Sequence, residues 1–106
     1  MSSTIRTNPI LNLAPQDLEV FCRKNHIRKL SLFGSALRGE LRPDSDIDIL
    51  VEFELEQEPT LIALSGMELE LSDCFGRKAD LRTPEDLSRY FRDEVIAAAE
   101  VLYEQR

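Results

Sequence analysis

The stretch LFGSALRGELRPDSDIDILVEF, residues 32–53, decides how this chain folds, because it runs from one apolar segment through a loop into another. The first apolar segment ends at Gly34 and Ser35. The second, IDILVEF, is rich in the β-branched residues that are typical of strands. Asp48 stands in this second segment, and Asp46 comes directly before it. Charge in a core strand is costly unless it is paired, so the two aspartates need a chemical explanation.

Outward from this stretch, apolar spacing predicts the element order α-β-β-α-β-α-α. The first two strands have no full crossover helix between them, which counts against a doubly wound parallel sheet. We expect an α/β (α+β-like) fold with a small mixed sheet flanked by helices. The predicted helices cover 15–25, 60–74, a segment from Thr83, and the tail 92–106, and the predicted strands cover 26–34, 47–54 and 77–83.

Length and charge restrict the organisation and the partners. At 106 residues the chain has room for one domain, predicted over 15–106, and residues 1–14 are expected to be a flexible arm. The net charge of −7 disfavours direct binding of nucleic acid. An acidic surface suits a basic protein partner instead. The alternating glutamates of EFELEQE are expected at a solvated strand edge or facing such a partner.

The two cysteines indicate the compartment. Cys22 and Cys74 form no CxxC motif and occupy apolar helical positions, so we interpret both as reduced core residues. The sequence shows no leader and no apolar run near the roughly 18 residues that cross a membrane. A cytoplasmic protein is therefore expected.

The aspartates fit a metal site. Strand side chains alternate, so Asp46 and Asp48 share one face about 6.6 Å apart, and the other face is left to Ile47, Ile49 and Val51. Two carboxylates so close repel each other unless a cation lies between them, and Mg²⁺ prefers oxygen ligands. Asp80 joins the same face if its strand lies beside theirs. Three acids can hold two ions for in-line phosphoryl chemistry.

Three simpler explanations of the acids compete with a metal site. An EF-hand loop starting at Asp44 needs Gly at its sixth position and Glu at its twelfth, where this chain has Ile49 and Leu55, so a calcium loop is rejected. Solvated loop acids explain Asp44 but not Asp48. A charge that protects an edge strand from aggregation stays open as an alternative.

Gly34 and Ser35 provide a candidate phosphate site. Glycine lets a backbone come close to a phosphate, and the N–H groups that follow can form an anion-binding nest to which Ser35 adds a hydroxyl. Alone, Gly-Ser after a strand is usually a turn, and no Gly-Lys-Ser/Thr of a Walker A loop follows. It is the combination with Asp46 and Asp48 that makes Gly34-Ser35 indicative of a phosphate site.

Gly34-Ser35, ten residues and then Asp46-x-Asp48 resembles the motif of the DNA polymerase β-like nucleotidyltransferase superfamily. More closely, GSALRGELRPDSDIDILVEF is similar to the minimal nucleotidyltransferases (MNT), the antitoxins that accompany HEPN-domain toxins. The likeness covers most of the chain, including the strand of Asp80 and a C-terminal helix ending VLYE.

The resemblance implies a role for each matching residue. Asp46 and Asp48 are expected to ligate the metals, and Asp80 to be the third carboxylate, which helps to activate the attacking hydroxyl. Gly34 and Ser35 are expected to hold the β- and γ-phosphates of a nucleotide. The implied cofactor is Mg²⁺, as two ions, with ATP as the substrate.

The implied reaction is Mg²⁺-dependent transfer of AMP from ATP to a tyrosine of a partner HEPN toxin, which is thereby neutralised in a hetero-oligomer. The small size independently favours an acceptor that docks from outside. Two alternatives stay open: an antitoxin that acts by binding alone, and transfer to a small molecule or an RNA 3′ end.

The remaining polar and aromatic residues are interpreted conservatively. Arg38 and Arg42 are expected to contact phosphate or partner, or to be solvated loop charges. His26 is interpreted as a cation at a helix C-terminus. Tyr90 and Tyr103 are interpreted as packing residues.

Overall fold

The computed structural model describes residues 3–5, as backbone only, and residues 14–34 and 46–105. The strands in these ranges are β1 (Ser3–Ile5), β2 (Ile27–Phe33), β3 (Ile47–Phe53), β4 (Ala79–Arg82) and β5 (Glu100–Gln105). The helices are α1 (Pro15–Lys24), α2 (Leu61–Phe75) and α3 (Arg92–Ala98), with a 3₁₀ turn at Pro84–Asp86. The strands form one sheet in the order β1-β5-β2-β3-β4, in which β3 and β4 are parallel and the other neighbours antiparallel. The predicted small mixed sheet is confirmed.

The ends of α2 follow from local chemistry. The Thr60 hydroxyl accepts a hydrogen bond from Ala63 N at 3.2 Å, which satisfies one free N–H of the first turn. Gly76 ends the helix in the left-handed region, with φ of 73°, and its N–H donates to Ser72 O at 2.9 Å. The predicted helix and its glycine stop are confirmed.

The core lies between the sheet and the two longer helices. Ile47, Ile49 and Val51 of β3 are fully buried, as the strand alternation predicted. They belong to one apolar cluster with residues of both helices, namely Leu18, Phe21 and Cys22 of α1 and Met67, Leu71 and Phe75 of α2. Residue 48, which alternates with them, therefore lies on the sheet face away from these helices.

The C-terminal segment differs from its predicted helix. Helix α3 ends at Ala98, and the residues after it form β5 between β1 and β2. Leu102 and Tyr103 are buried as expected, but in a strand. The apolar spacing from Val95 to Tyr103 fits a helix, and pairing on both sides of β5 overrides that local pattern.

Two further predictions need correction. Ser3–Ile5, predicted as part of a flexible arm, forms β1 and pairs with β5 from Ser3 to Ile5. The helix predicted from Thr83 is a single 3₁₀ turn, although Asp86 caps it by accepting hydrogen bonds from both Thr83 N and the Thr83 hydroxyl.

Both cysteines are free, and burial raises the pKa of each thiol. Cys22 is fully buried, whereas Cys74 is half-buried. Among the described residues, we find no helix with the length and apolar character needed to traverse a bilayer.

Candidate functional site

Asp48 and Asp80 occupy paired positions on neighbouring strands. Asp48 is the second residue of β3 and Asp80 the second residue of β4, and the parallel register sets them side by side. Both side chains are half-buried. Paired residues of adjacent strands project from the same face. The predicted adjacency of these two strands, on which a shared carboxylate face depended, is confirmed.

Strand β4 is anchored on both sides. Ile47 N donates to Lys78 O at 2.9 Å and so joins β3 to the start of β4. Two N–H groups of β4 donate to side chains of α2: Leu81 N to Glu68 Oε2 and Ala79 N to Ser72 Oγ, each at 2.8 Å. These acceptors satisfy backbone groups of a strand at the end of the described sheet. They also hold β4 in the register that sets Asp80 beside Asp48.

Asp46 is placed differently from the other two acids. It precedes β3, it is exposed, and its Oδ2 lies 3.7 Å from Lys78 Nζ. Within the described part of the chain, no three His, Cys, Asp or Glu side chains converge closely enough to hold a metal ion. The structure therefore brings Asp48 and Asp80 together and leaves Asp46 beside them, turned to a lysine.

Like charge and burial act together on Asp48. Burial raises the pKa of its carboxyl, the charge of Asp80 raises it further, Arg82 lowers it, and Asp46 raises it. An ionised Asp48 is thus disfavoured where it stands, and a cation beside it would relieve both effects. Mg²⁺ is bound in proteins by one or two carboxylates together with phosphate oxygens and water. The oxygen donors of Asp48 and Asp80, with Asp46 near, fit that ion.

The backbone of Gly34 lies directly against the Asp48 carboxylate. Its φ is +79°, a left-handed conformation that favours glycine, and a Cβ built on it would lie 2.4 Å from Asp48 Oδ2. The preceding residue, Phe33, pairs with Asp48 across β2 and β3. The end of β2 therefore lies directly against the carboxylate. Ser35 lies outside the described residues, as do Arg38, Arg42 and Asp44.

The interpretations of Tyr103, Tyr90 and His26 had three different outcomes. Tyr103 is fully buried, which confirms its packing role, but Tyr90 is 83% exposed with Arg89 over its ring, so a packing role was wrong for Tyr90. His26 follows α1 with φ of +56°, and its N–H donates to Arg23 O at 3.3 Å. Its predicted role as a cation at the helix end stays a prediction.

The sequence analysis did not predict a role for three residues that lie near the site. Arg82 stands two positions after Asp80, so strand alternation could have placed it on the same face. Lys78 directly precedes β4, and its contact with Asp46 depends on how the two strands pair. Glu68 reaches β4 from a helix 13 residues earlier, and no local pattern reports such a bond.

Residues 16–102 match the family model described as a nucleotidyltransferase domain. A protein of Methanocaldococcus jannaschii, named as a candidate protein adenylyltransferase, is 33% identical over 76 residues, which cover 72% of this chain and 80% of that protein. Protein adenylyltransferase MntA of Thermococcus cleftensis is 42% identical over 55 residues, 52% of this chain and 54% of that protein. The match thus spans about half the length of that second relative.

Solved structures have the same fold. A candidate minimal nucleotidyltransferase gives a TM-score of 0.66 at 31% identity, over 79% of this chain and 84% of that chain. A toxin–antitoxin complex with AMP-PNP gives 0.68 at 22% identity, over 86% and 73%. A complex of a tri-AMPylated Shewanella oneidensis HEPN toxin with its MNT antitoxin gives 0.60 at 21% identity, over 85% and 69%.

Proposed function

Since this chain belongs to the nucleotidyltransferase domain family, we propose that it transfers AMP from ATP to a tyrosine hydroxyl of a partner HEPN toxin and thereby neutralises it. The observation that carries the proposal is the parallel pairing of Asp48 with Asp80, with Gly34 against the Asp48 carboxylate. Relatives named protein adenylyltransferases support the reaction. The AMPylated HEPN toxin in complex with its MNT antitoxin supports the partner.

All three acidic residues would act as metal ligands, and Asp80 would also accept a proton. Asp48 and Asp80 would hold Mg²⁺, with Asp46 joining them by turning from Lys78, since that exposed 3.7 Å ion pair is weak. The ion would supply charge neutralisation for the phosphates of ATP. The raised pKa of the Asp48 carboxyl supports this role, because a bound cation would offset both its burial and the charge of Asp80.

The transfer itself requires an activated hydroxyl. Asp80 accepts the proton of the acceptor tyrosine as its oxygen attacks the α-phosphorus of ATP. The new P–O bond joins AMP to the tyrosine, the bond to the β-phosphate breaks, and pyrophosphate leaves. Gly34 and Ser35 would bind the β- and γ-phosphates through backbone N–H groups. A side chain at Gly34 would meet the Asp48 carboxylate.

The proposed setting is a cytoplasmic hetero-oligomer of this chain with its toxin. The chain carries 20 acidic against 13 basic residues, which supports a protein partner and disfavours direct contact with nucleic acid. Neutralisation would then depend on the covalent AMP and not on occupancy alone.

The test is AMP transfer between purified proteins. The chain is incubated with Mg²⁺, ATP labelled at its α-phosphate, and the HEPN-domain protein of the same genome. We expect label on a tyrosine of the HEPN protein, loss of labelling in Asp48→Asn, and normal labelling in Asp93→Asn, which changes an exposed aspartate of α3. Labelling that survives the double change of Asp46 and Asp48 to Asn contradicts the mechanism.

A second candidate function is neutralisation by binding alone. It is favoured by one observation: within the described residues the acids are not gathered into a three-ligand cluster, and Asp46 pairs with Lys78. If the Asp46 and Asp48 double variant still protects cells from the toxin, binding is the better account.

A further inference from the structure

Two cations stand on either side of Asp80 along β4. Lys78, directly before the strand, and Arg82, its last residue, are each two positions from Asp80, so strand alternation sets all three on one face. Both cations are exposed. The Lys78 ammonium lies 3.7 Å from Asp46 Oδ2. Arg82 forms no ion pair with any residue that the structure describes, although its charge lowers the pKa of the Asp48 carboxyl. Its guanidinium therefore lies near the carboxylates and has donors to offer a ligand.

The pairing of β2, β3 and β4 arranges the carboxylate face in rows that cross the strands. One row holds the paired Asp48 and Asp80. The next row holds Arg82, with Leu50 beside it on β3 and Ser31 beyond it on β2. Leu50 and Ser31 are each 1% exposed, whereas Arg82 is exposed. Among the described residues of this row, another protein can therefore reach only Arg82.

Gly34 and Arg82 lie on opposite sides of the carboxylate pair. Strand β2 runs antiparallel to β3 and Phe33 pairs with Asp48, so Gly34 continues from there toward the start of β3. Arg82 follows Asp80 in the other direction, toward the ends of β3 and β4. If Gly34 binds the β- and γ-phosphates, as proposed above, the leaving group stands on one side of the carboxylates and Arg82 on the other.

The geometry of the transfer then places the acceptor. In a displacement at phosphorus the attacking and leaving oxygens lie roughly in line. With pyrophosphate at Gly34 and the α-phosphorus at Asp48 and Asp80, the attacking oxygen arrives from the side of Arg82. We propose that Arg82 receives the acceptor tyrosine and donates N–H hydrogen bonds to its oxygen as negative charge develops there. This inference deepens the proposed function and rests on it.

A guanidinium suits this place because it assists the reaction without exchanging a proton. The tyrosine proton passes to Asp80, the new O–P bond forms, and the electron pair of the broken P–O bond leaves with pyrophosphate. A guanidinium keeps its proton throughout. Its charge-assisted hydrogen bonds to an anionic oxygen are stronger than those between neutral groups, and a donor aimed at developing charge lowers the barrier. Arg82 thus complements Asp80 on the same edge of the site.

A simpler role for Arg82 is to offset the repulsion between Asp48 and Asp80. A residue with that role alone acts on the metal ligands, so its loss would change the affinity for nucleotide and Mg²⁺. A residue on the acceptor's side leaves that affinity unchanged, and its loss lowers only the transfer. The two roles therefore differ in a measurement that requires no turnover.

The test compares Arg82→Met with Lys78→Met, which removes the same charge at the same spacing from Asp80 but on the side of Gly34. Both are made in the full chain, and circular dichroism first shows that each variant is folded. Calorimetry measures the binding of Mg²⁺ with α,β-methylene-ATP, an analogue that cannot transfer AMP. Steady-state kinetics measure AMP transfer to the HEPN-domain protein of the same genome.

We expect Arg82→Met to lose at least about tenfold in kcat/KM for the acceptor, while its affinity for the analogue changes by less than about twofold. Arg82→Lys, which keeps the charge, should recover part of the loss. Lys78→Met should instead weaken the analogue, because Lys78 lies on the side of the leaving pyrophosphate. Arg89→Met changes an exposed arginine that stacks on Tyr90 and should match the wild type.

The outcomes separate this inference from the proposed function. Transfer by Arg82→Met at the wild-type kcat/KM overturns the acceptor contact and leaves AMP transfer standing. A loss of analogue affinity in Arg82→Met as large as its loss of transfer also overturns the contact, because Arg82 then acts on the nucleotide or the metal. A wild-type chain that transfers no AMP overturns the proposed function and this inference with it. If Arg82→Met folds poorly, Arg82→Gln must show the same division between transfer and analogue binding, and its failure to do so overturns the contact.

Discussion

Asp48 and Asp80 stand at paired positions of parallel neighbouring strands, so two carboxylates project side by side from one face of the sheet. The pairing is held from outside by the hydrogen bonds of β4 to Glu68 and Ser72 of α2. The fold thus fixes an arrangement that its own electrostatics oppose, since burial and the charge of Asp80 both raise the pKa of Asp48. Such opposition between stability and arrangement is typical of functional sites.

The first prediction is that Asp48→Asn stabilises the protein at neutral pH. The pKa of the Asp48 carboxyl is raised in the folded state, so the folded state binds this proton more tightly than the unfolded chain, where the pKa is about 3.9. The contribution of Asp48 to the free energy of unfolding is most favourable below the unfolded pKa and is lost as the pH rises through the folded pKa. Asparagine does not titrate, so the variant does not lose stability in this way. Thermal unfolding at pH 7 should show a higher Tm than the wild type, with the gain shrinking as the pH falls to about 4, and Asp93→Asn should show neither change.

The second prediction contrasts two glycines. Gly34→Ala must adopt φ near +79° and place its Cβ 2.4 Å from Asp48 Oδ2, so we expect a loss of more than about 1 kcal/mol. Gly66→Ala enters open space in a helix and should gain about 0.5–1 kcal/mol. Urea unfolding measures both changes. Equal effects of the two substitutions would show that Gly34 is not pressed against the carboxylate.

The third prediction concerns Glu68, which acts on the site through β4. Glu68→Ala leaves Leu81 N without its acceptor, at a cost of about 1 kcal/mol, and should loosen the strand that carries Asp80. Hydrogen exchange at Leu81 should accelerate more than at Ile49, and Mg²⁺ affinity should fall. Glu68→Gln keeps an oxygen acceptor and should restore both. Glu70→Ala serves as the control, because Glu70 pairs with Lys24 on the surface and that pair contributes little.

The fourth prediction is that Tyr103→Phe is neutral or stabilising. The Tyr103 hydroxyl is fully buried and has no hydrogen-bond partner among the residues that the structure describes. An unsatisfied buried polar group costs about 1–3 kcal/mol, which phenylalanine avoids at nearly the same volume. Guanidinium unfolding should show a free energy of unfolding no lower than that of the wild type. A clear loss would mean that the hydroxyl bonds to a part of the chain outside the described ranges.

Strand alternation was sufficient to predict the positions of two of the candidate acids and part of the fold. The period of two placed Ile47, Ile49 and Val51 in the core and Asp48 on the other face, and the same rule applied to β4 placed Asp80. These inferences depend only on neighbouring residues, so the local sequence carries them.

The remainder depended on contacts between distant segments. Strand β5 was predicted as helix because the spacing from Val95 to Tyr103 suits either state, and pairing with β1 and β2 decides it. Because β5 was predicted as a helix, the strand β1 that pairs with it was not predicted either. The ion pair of Asp46 with Lys78 joins segments that meet only when β3 and β4 pair, so the position of the Asp46 side chain beside Lys78 was not visible in the sequence.

The most direct test of the central claim is the intact mass of the HEPN-domain partner after incubation with ATP, Mg²⁺ and this chain. Wild-type protein is expected to add AMP to the partner, and Asp80→Asn, which keeps the β3–β4 pairing but removes one of the two paired carboxylates, is expected to add none. Asp93→Asn should behave as the wild type. AMP addition by Asp80→Asn at the wild-type rate would contradict the assignment of the Asp48–Asp80 pair as the transfer site.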